Sequence, residues 1–269
     1  MLERFEARRV GREARESRRG IFLLPSILTV GNMFCGYACV VYSMLGELEV
    51  AAPFIGFAIV LDMLDGRIAR LTGTTTAFGL ELDSLADVIS FGLAPAVLAF
   101  AWGLGELGRI GWAAGFMYVS AAAMRLARFN IQTPSQIDKR YFVGMPSPPA
   151  AGVAAATVFA WPTPLTQPVH LSHLLSEPAP WQALAAVGVM LIPGALMVST
   201  IRFRSFRTIN FGWGRSYRTL LLFALFVAVI YALRQYALLV LAYGYLLSAF
   251  IGMAWSRFRA RRSGHSTAG

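Results

Sequence analysis

Apolar residues run along this chain in blocks too long for the core of a soluble domain. A membrane-crossing helix needs about 20 mostly apolar residues. Eight stretches meet or approach that length: roughly 21–45, 50–70, 82–103, 109–127, 144–161, 182–200, 217–233 and 236–256. The second and third are interrupted at their adjoining ends by aspartates. The fifth opens at Pro146, Pro148 and Pro149, which suits a helix start, because a first turn leaves its N–H groups unpaired and proline has none to lose. The pattern predicts an all-α polytopic membrane protein of about eight transmembrane helices, with no internal repeat.

Composition agrees. The chain is 57% hydrophobic and only 14% charged, where a soluble domain carries about 25% charged residues. Residues 1–20 are polar and Arg-rich, and no short apolar region with a small-residue cleavage site precedes the first long block, so no cleavable signal peptide is expected. The expected organisation is a basic N-terminal tail (1–20), a transmembrane domain that carries the chemistry (21–256), and a basic, disordered C-terminal tail (257–269).

Charge then sets the topology. The net charge of +10 comes from 23 arginines and Lys139. These flank apolar blocks rather than forming one patch, which argues for a membrane and against nucleic acid. With eight spans and the N-terminus inside, the inner segments and their flanking helix ends hold every basic residue except Arg109 and Arg234, and the outer loop 162–181 holds none. Positive charge on the inner side is the expected bias. Both termini and the aspartates then face the cytoplasm, with a bacterial cytoplasmic membrane as the expected location. The N-terminal tail mixes Glu3, Glu6, Glu13 and Glu16 with seven arginines; it is either an amphipathic helix on anionic lipid or a solvated tail. Cys35 and Cys39 read as small buried side chains. His170 and His173 lack further ligands and read as incidental. Trp102, Trp112, Trp161 and Trp181 near span ends read as interfacial anchors.

Four of the five aspartates in the chain are Asp62, Asp65, Asp83 and Asp87. Carboxylates near hydrocarbon are costly and mark functional sites. On helices, Asp62 and Asp65 are i,i+3 and Asp83 and Asp87 are i,i+4, so each pair shares a face. Two such faces together place four acids around one point, an arrangement that needs cations. Hard divalent ions with oxygen ligands fit. The small Gly66 and Ala69 permit close approach beside the carboxylates. Arg70 can reach a phosphate with a fork of donors, and Gly79, read as a loop residue, permits a tight turn or close ligand contact. A diphosphate bridged to the protein by divalent metal suits these parts best.

The stretch fits D-x2-D-G-x2-A-R-x8-G-x3-D-x3-D at every fixed position: Asp62, Asp65, Gly66, Ala69, Arg70, Gly79, Asp83 and Asp87. This is the signature of the CDP-alcohol phosphotransferase family, which the chain strongly resembles. The resemblance implies two divalent cations, Mg²⁺ or Mn²⁺, among Asp62, Asp65, Asp83 and Asp87. It implies a CDP moiety bound beside them, near Gly66, Ala69, Arg70 and Gly79, and Asp87 as the base. It also implies a homodimer.

Other stretches narrow the resemblance. Leu24-Pro25-Ser26 through Thr29, Asn32 and Gly36 opens the first span; Arg125-Leu-Ala-Arg128-Phe129-Asn130 ends the fourth; Gly144-Met-Pro146-Ser147-Pro148 opens the fifth; Met197 through Ile201-Arg202 to Phe206 ends the sixth. Together these resemble the integral-membrane phosphatidylserine synthases, although Ser26 stands where that subgroup usually has asparagine. The resemblance implies transfer of a phosphatidyl group from CDP-diacylglycerol to L-serine, with CMP as product. Serine carries a carboxylate, so its pocket should hold fixed positive charge. Arg125 and Arg128 are candidates, with Asn130, Ser147 and Arg202 weaker ones. Thr29 and Asn32 are candidates for hydrogen bonds to phosphate or metal-bound water, or for plain interhelical bonds.

Within the family the acceptor could instead be glycerol 3-phosphate, an inositol phosphate or choline. A phosphorylated acceptor needs a denser basic pocket, and choline favours an aromatic cage. A divalent-cation transporter can also line its path with acids, but it predicts them on both sides of the midplane, and here no outer-half acid lies within a span.

Overall fold

The computed structural model describes residues 25–73, 76–131, 141–164, 181–204 and 236–248. Its helices are α1 (Pro25–Met44), α2 (Leu48–Thr72), α3 (Ala77–Leu107), α4 (Arg109–Asn130), α5 (Ser147–Ala160), α6 (Trp181–Val198) and α7 (Tyr236–Ser248). Among the described residues, four helices are long and apolar enough to cross a membrane: α1, α3, α4 and α6. α2 has 25 residues, about 37 Å at 1.5 Å per residue, and carries Glu49 in its first turn and Asp62, Asp65, Arg67 and Arg70 toward its C-terminal end. The expected seventh span, 217–233, and both tails lie outside the described residues.

α1 shows how the bundle is packed. Ile27, Val30, Phe34 and Tyr37 lie on its exposed face. Thr29, Asn32, Cys35, Cys39 and Ser43 lie on its buried face. The large apolar residues point outward and the small and polar ones inward. That inversion follows from a lipid solvent: apolar side chains gain nothing by leaving hydrocarbon, whereas small residues and interhelical hydrogen bonds hold helices together. Gly36 allows the closest approach. A Cβ there would lie 2.6 Å from Ser90 Oγ and 2.8 Å from Ser90 Cα on α3.

The helices run straight through the aspartates. α2 continues to Thr72, and α3 begins at Ala77, so the breaks in the apolar pattern are not breaks in the backbone. Helical hydrogen bonds are made by the main chain and tolerate polar side chains at a helix end. α3 is irregular further along. Wide π-type turns at Val88–Leu93 and Phe100–Leu104 flank a regular stretch at Ala94–Ala99, and a tight turn at Gly105–Leu107 ends it. Pro95 has no N–H for the Phe91 carbonyl one turn earlier. The fully buried Tyr118 hydroxyl on α4 supplies a donor to that carbonyl at 3.1 Å.

α4 packs on α6, and α2 packs on α5. Two short stretches between the predicted spans are paired. β1 (Tyr141–Val143) and β2 (Arg202–Arg204) form an antiparallel ladder with Phe142 opposite Phe203. Beyond it the Gly144 N–H donates to the Ile201 carbonyl at 2.8 Å, and the Met145 N–H donates to that of Leu196 at 2.9 Å. Gly144 has φ +83°, and a Cβ there would collide with the Met197 carbonyl oxygen. The clasp therefore requires glycine, and it fixes where α5 starts. Among the described residues the architecture is otherwise all-helical. Trp102 is not an interfacial anchor: it is fully buried, and its indole N–H donates to the Trp161 carbonyl.

Candidate active site

The chain reverses between α2 and α3 through a short, well-capped link. Gly73 adopts a left-handed conformation (φ +64°) and returns its N–H to the Ala69 carbonyl. Thr76 caps α3 by accepting the Gly79 N–H at 2.9 Å. Gly79 is thus in the first turn of α3, not in a loop. A capping hydroxyl three residues before a helical N–H satisfies one of the first turn's unpaired donors.

This link brings the two carboxylate pairs together. One oxygen each from Asp62, Asp83 and Asp87 lie within 4.8 Å of one another. The four expected acids divide into these three and a buried neighbour, Asp65, whose Oδ2 accepts the Thr29 hydroxyl of α1 at 3.1 Å. Three residues along α1, the Asn32 side-chain amide donates to Asp87 Oδ1 at 3.4 Å. One helix therefore holds an acid from each pair. The Asn32 backbone is itself held, because the Ser90 hydroxyl donates to its carbonyl at 2.9 Å.

Arg125 lies beside the cluster and interacts electrostatically with Asp87, Asp62 and Tyr245. Its Nη1 donates to the Ser147 hydroxyl at 2.8 Å. Ser147 is fully buried at the start of α5, immediately after the clasp at Gly144. The expected acceptor residues separate here. Arg125 and Ser147 meet at the carboxylates. Arg128 is exposed, and exposed Asn130 donates to the Ser84 hydroxyl at 2.9 Å. Arg202 contributes backbone to β2. Arg70 folds back over Gly66, where an added Cβ would come 3.3 Å from its Nη1; Ala69 lies between them in sequence, half-buried. Ser90, Gly36 and Tyr118 were not singled out as functional from sequence. Helical spacing of Thr29, Asn32 and Gly36 was the available signal for a polar, close-packed face.

The donor set fits a divalent cation. Oxygens coordinated at about 2.0–2.6 Å to one hard cation lie within about 3–5 Å of each other, which the three aspartates satisfy. Asp83 Oδ1 and Asn32 Oδ1 are both buried without a hydrogen-bond partner. Buried polar oxygens are ordinarily paired, so orphans call for an ion, a water or a ligand.

Clustered carboxylates at one end of apolar helices, beside a guanidinium held by a buried hydroxyl, form a site that could hold a divalent cation. The chain belongs to the CDP-alcohol phosphatidyltransferase family, whose pattern it matches over residues 22–190. It is 34% identical over 232 residues to a CDP-diacylglycerol–serine O-phosphatidyltransferase of Helicobacter pylori (strain J99), spanning 86% of this chain and 93% of that one. It is 39% identical over 141 residues to the protein of that name from Mycobacterium leprae, or 50% of this chain and 47% of that one. It is 34% identical over 182 residues to an archaetidylserine synthase of Methanothermobacter thermautotrophicus, covering 67% and 69%.

Proposed function

We propose that this protein transfers a phosphatidyl group from CDP-diacylglycerol to the hydroxyl of L-serine, releasing CMP, in a reaction that depends on divalent cations. The observation that carries this reading is the placement of Arg125, held by Ser147, against the Asp62, Asp83 and Asp87 cluster. A fixed guanidinium beside a cation site suits an acceptor that carries its own carboxylate. The relatives support the same acceptor, since both the phosphatidyl- and archaetidyl-named proteins are named for serine.

Divalent cations, when bound, neutralise the diphosphate and the charge that builds on departing CMP. Asp62, Asp65, Asp83 and Asp87 would hold two of them, Mg²⁺ or Mn²⁺. Gly66, Ala69, Arg70 and Gly79 face the CDP-lipid, with Thr29 and Asn32 at its edge. Arg125 and Ser147 orient serine; Arg128, Asn130 and Arg202 take outer places in the acceptor path. Asp87 accepts the hydroxyl proton as the serine oxygen attacks phosphorus. One O–P bond forms, the P–O bond to CMP breaks, and the nucleotide leaves with the electron pair. Holding both substrates in line supplies much of the remaining acceleration.

In this reading the chain has eight spans, with both termini and the reaction centre on the cytoplasmic side, and works as a homodimer. Residues 21–256 form the catalytic domain between two basic tails. Positive-inside charge supports the orientation, and the four helices long and apolar enough to cross a membrane, α1, α3, α4 and α6, support a chain that crosses it several times. The test is CMP release by purified protein in detergent with CDP-diacylglycerol and Mn²⁺, with L-serine, glycerol 3-phosphate, inositol phosphate or choline offered separately. Serine-dependent release, with phosphatidylserine seen by mass spectrometry, is expected. Release only with another acceptor overturns the serine assignment.

A further inference from the structure

The Asn32 side chain is fully buried, yet its oxygen has no partner. A residue that served packing alone would satisfy both amide groups or be apolar, because an unpaired polar atom in a dry interior is costly. The Asn32 nitrogen is committed to Asp87 Oδ1 at 3.4 Å. A carboxylate accepts and never donates when ionised, so the amide has one favourable orientation there and its oxygen is turned away from Asp87. The nearby acid Asp83 also carries an orphaned oxygen. The Asn32 main chain is pinned as well. Ser90 on α3, three residues beyond Asp87, donates to its carbonyl at 2.9 Å. That bond depends on the close contact at Gly36, where any side chain would collide with Ser90.

We propose that Asn32 is a positioning residue for the cation site: it fixes the Asp87 carboxylate toward Asp62 and Asp83, and the Gly36–Ser90 contact sets the depth at which α1 delivers it. This rests on the reading of the aspartate cluster as a divalent-cation site. Asn32 does not react itself. It acts through Asp87, and the site has its geometry only with α1 seated on α3. Groups that orient a metal-binding carboxylate are commonly worth 10–100-fold in metal affinity or activity.

The experiment is Mn²⁺ titration by calorimetry into the purified full-length protein without substrate, for the wild type, Asn32→Leu, Ser90→Ala and Asp83→Asn. Steady-state kinetics and thermal unfolding run beside it. Asn32→Leu keeps volume but removes the donor. It should weaken Mn²⁺ binding by ~10–100-fold and lower kcat more than it changes the KM for CDP-diacylglycerol, with the unfolding temperature little changed. Ser90→Ala, which loosens only the seat of α1, should show a smaller loss in the same direction; it carries the test if Asn32→Leu does not fold. Wild-type Mn²⁺ affinity in folded Asn32→Leu and Ser90→Ala, with binding lost in Asp83→Asn, overturns the proposal while leaving the cation site standing. Failure of the wild type itself to bind Mn²⁺ overturns both.

Discussion

The two ends of this bundle share α3 and α5 and treat polar groups in opposite ways. At one end, α1, α2, α3, α4 and α5 converge on Asp62, Asp65, Asp83, Asp87 and Arg125, and two buried oxygens there, on Asn32 and Asp83, have no partner. At the other end, the Trp102 indole N–H meets the Trp161 carbonyl, and Trp102 and Trp161 both pack edge-on to Trp181 at 5.9 and 5.5 Å. Asp87 and Trp102 sit 15 residues apart on α3, roughly 22 Å along a helix. Among the described residues the tryptophan end leaves no buried side-chain polar atom unpaired, and its ring contacts join α3, α5 and α6. The aspartate end is electrostatically incomplete, and that incompleteness is what a cation and a diphosphate would relieve. The contrast separates residues that stabilise the fold from residues kept for chemistry at some cost in stability.

Substitutions at the two ends should therefore fail in different ways. The largest effect is expected for Asp87→Asn: transfer should fall by about 10²–10⁴-fold, the range for loss of a general base, while the protein still folds. Full activity in that variant would remove Asp87 as the base. Next, Arg125→Ala should raise the KM for serine by about 10-fold or more, a charged hydrogen bond being worth about 1.5–3 kcal/mol. The KM for CDP-diacylglycerol should move less, and equal changes in both would break the link between Arg125 and the acceptor. Arg128→Ala, at an exposed position one turn on, should move the serine KM less than Arg125→Ala does. The smallest effect on catalysis is expected at the far end. Trp102→Phe strands the Trp161 carbonyl and should cost about 1–3 kcal/mol of stability, seen as a lower unfolding temperature, with kcat per folded molecule unchanged. A kcat loss there as large as that of Asp87→Asn would erase the division between the ends.

The aspartate motif and its helical faces were legible in the sequence because they depend on local spacing: i,i+3 and i,i+4 pairs share a face wherever the helix goes. The hydrogen bonds that organise the site were not. Thr29 to Asp65 spans 36 residues and Asn32 to Asp87 spans 55, and such pairs are set by how helices dock. The division between Arg125, at the site, and Arg128, exposed, has the same origin, since neighbouring turns of α4 look alike until α5 delivers Ser147. The pairing of Tyr141–Val143 with Arg202–Arg204 was hidden because three-residue strands leave almost no periodicity. The wide turn at Val88–Leu93 has a visible cause in Pro95, but the donor that serves the Phe91 carbonyl there, Tyr118, lies on another helix.

The central claim is that the aspartate cluster carries a cation-dependent transfer to serine. The most direct measurement strips the purified wild-type protein of divalent ions with a chelator and titrates Mn²⁺ back. CMP release from CDP-diacylglycerol and L-serine is followed throughout, with Asp83→Asn in parallel. The account predicts no release from the stripped protein, full recovery as Mn²⁺ is restored, and no recovery in Asp83→Asn at the same concentrations. Serine-dependent release that persists in the stripped wild type, or Mn²⁺-restored release at the wild-type rate in Asp83→Asn, would contradict it.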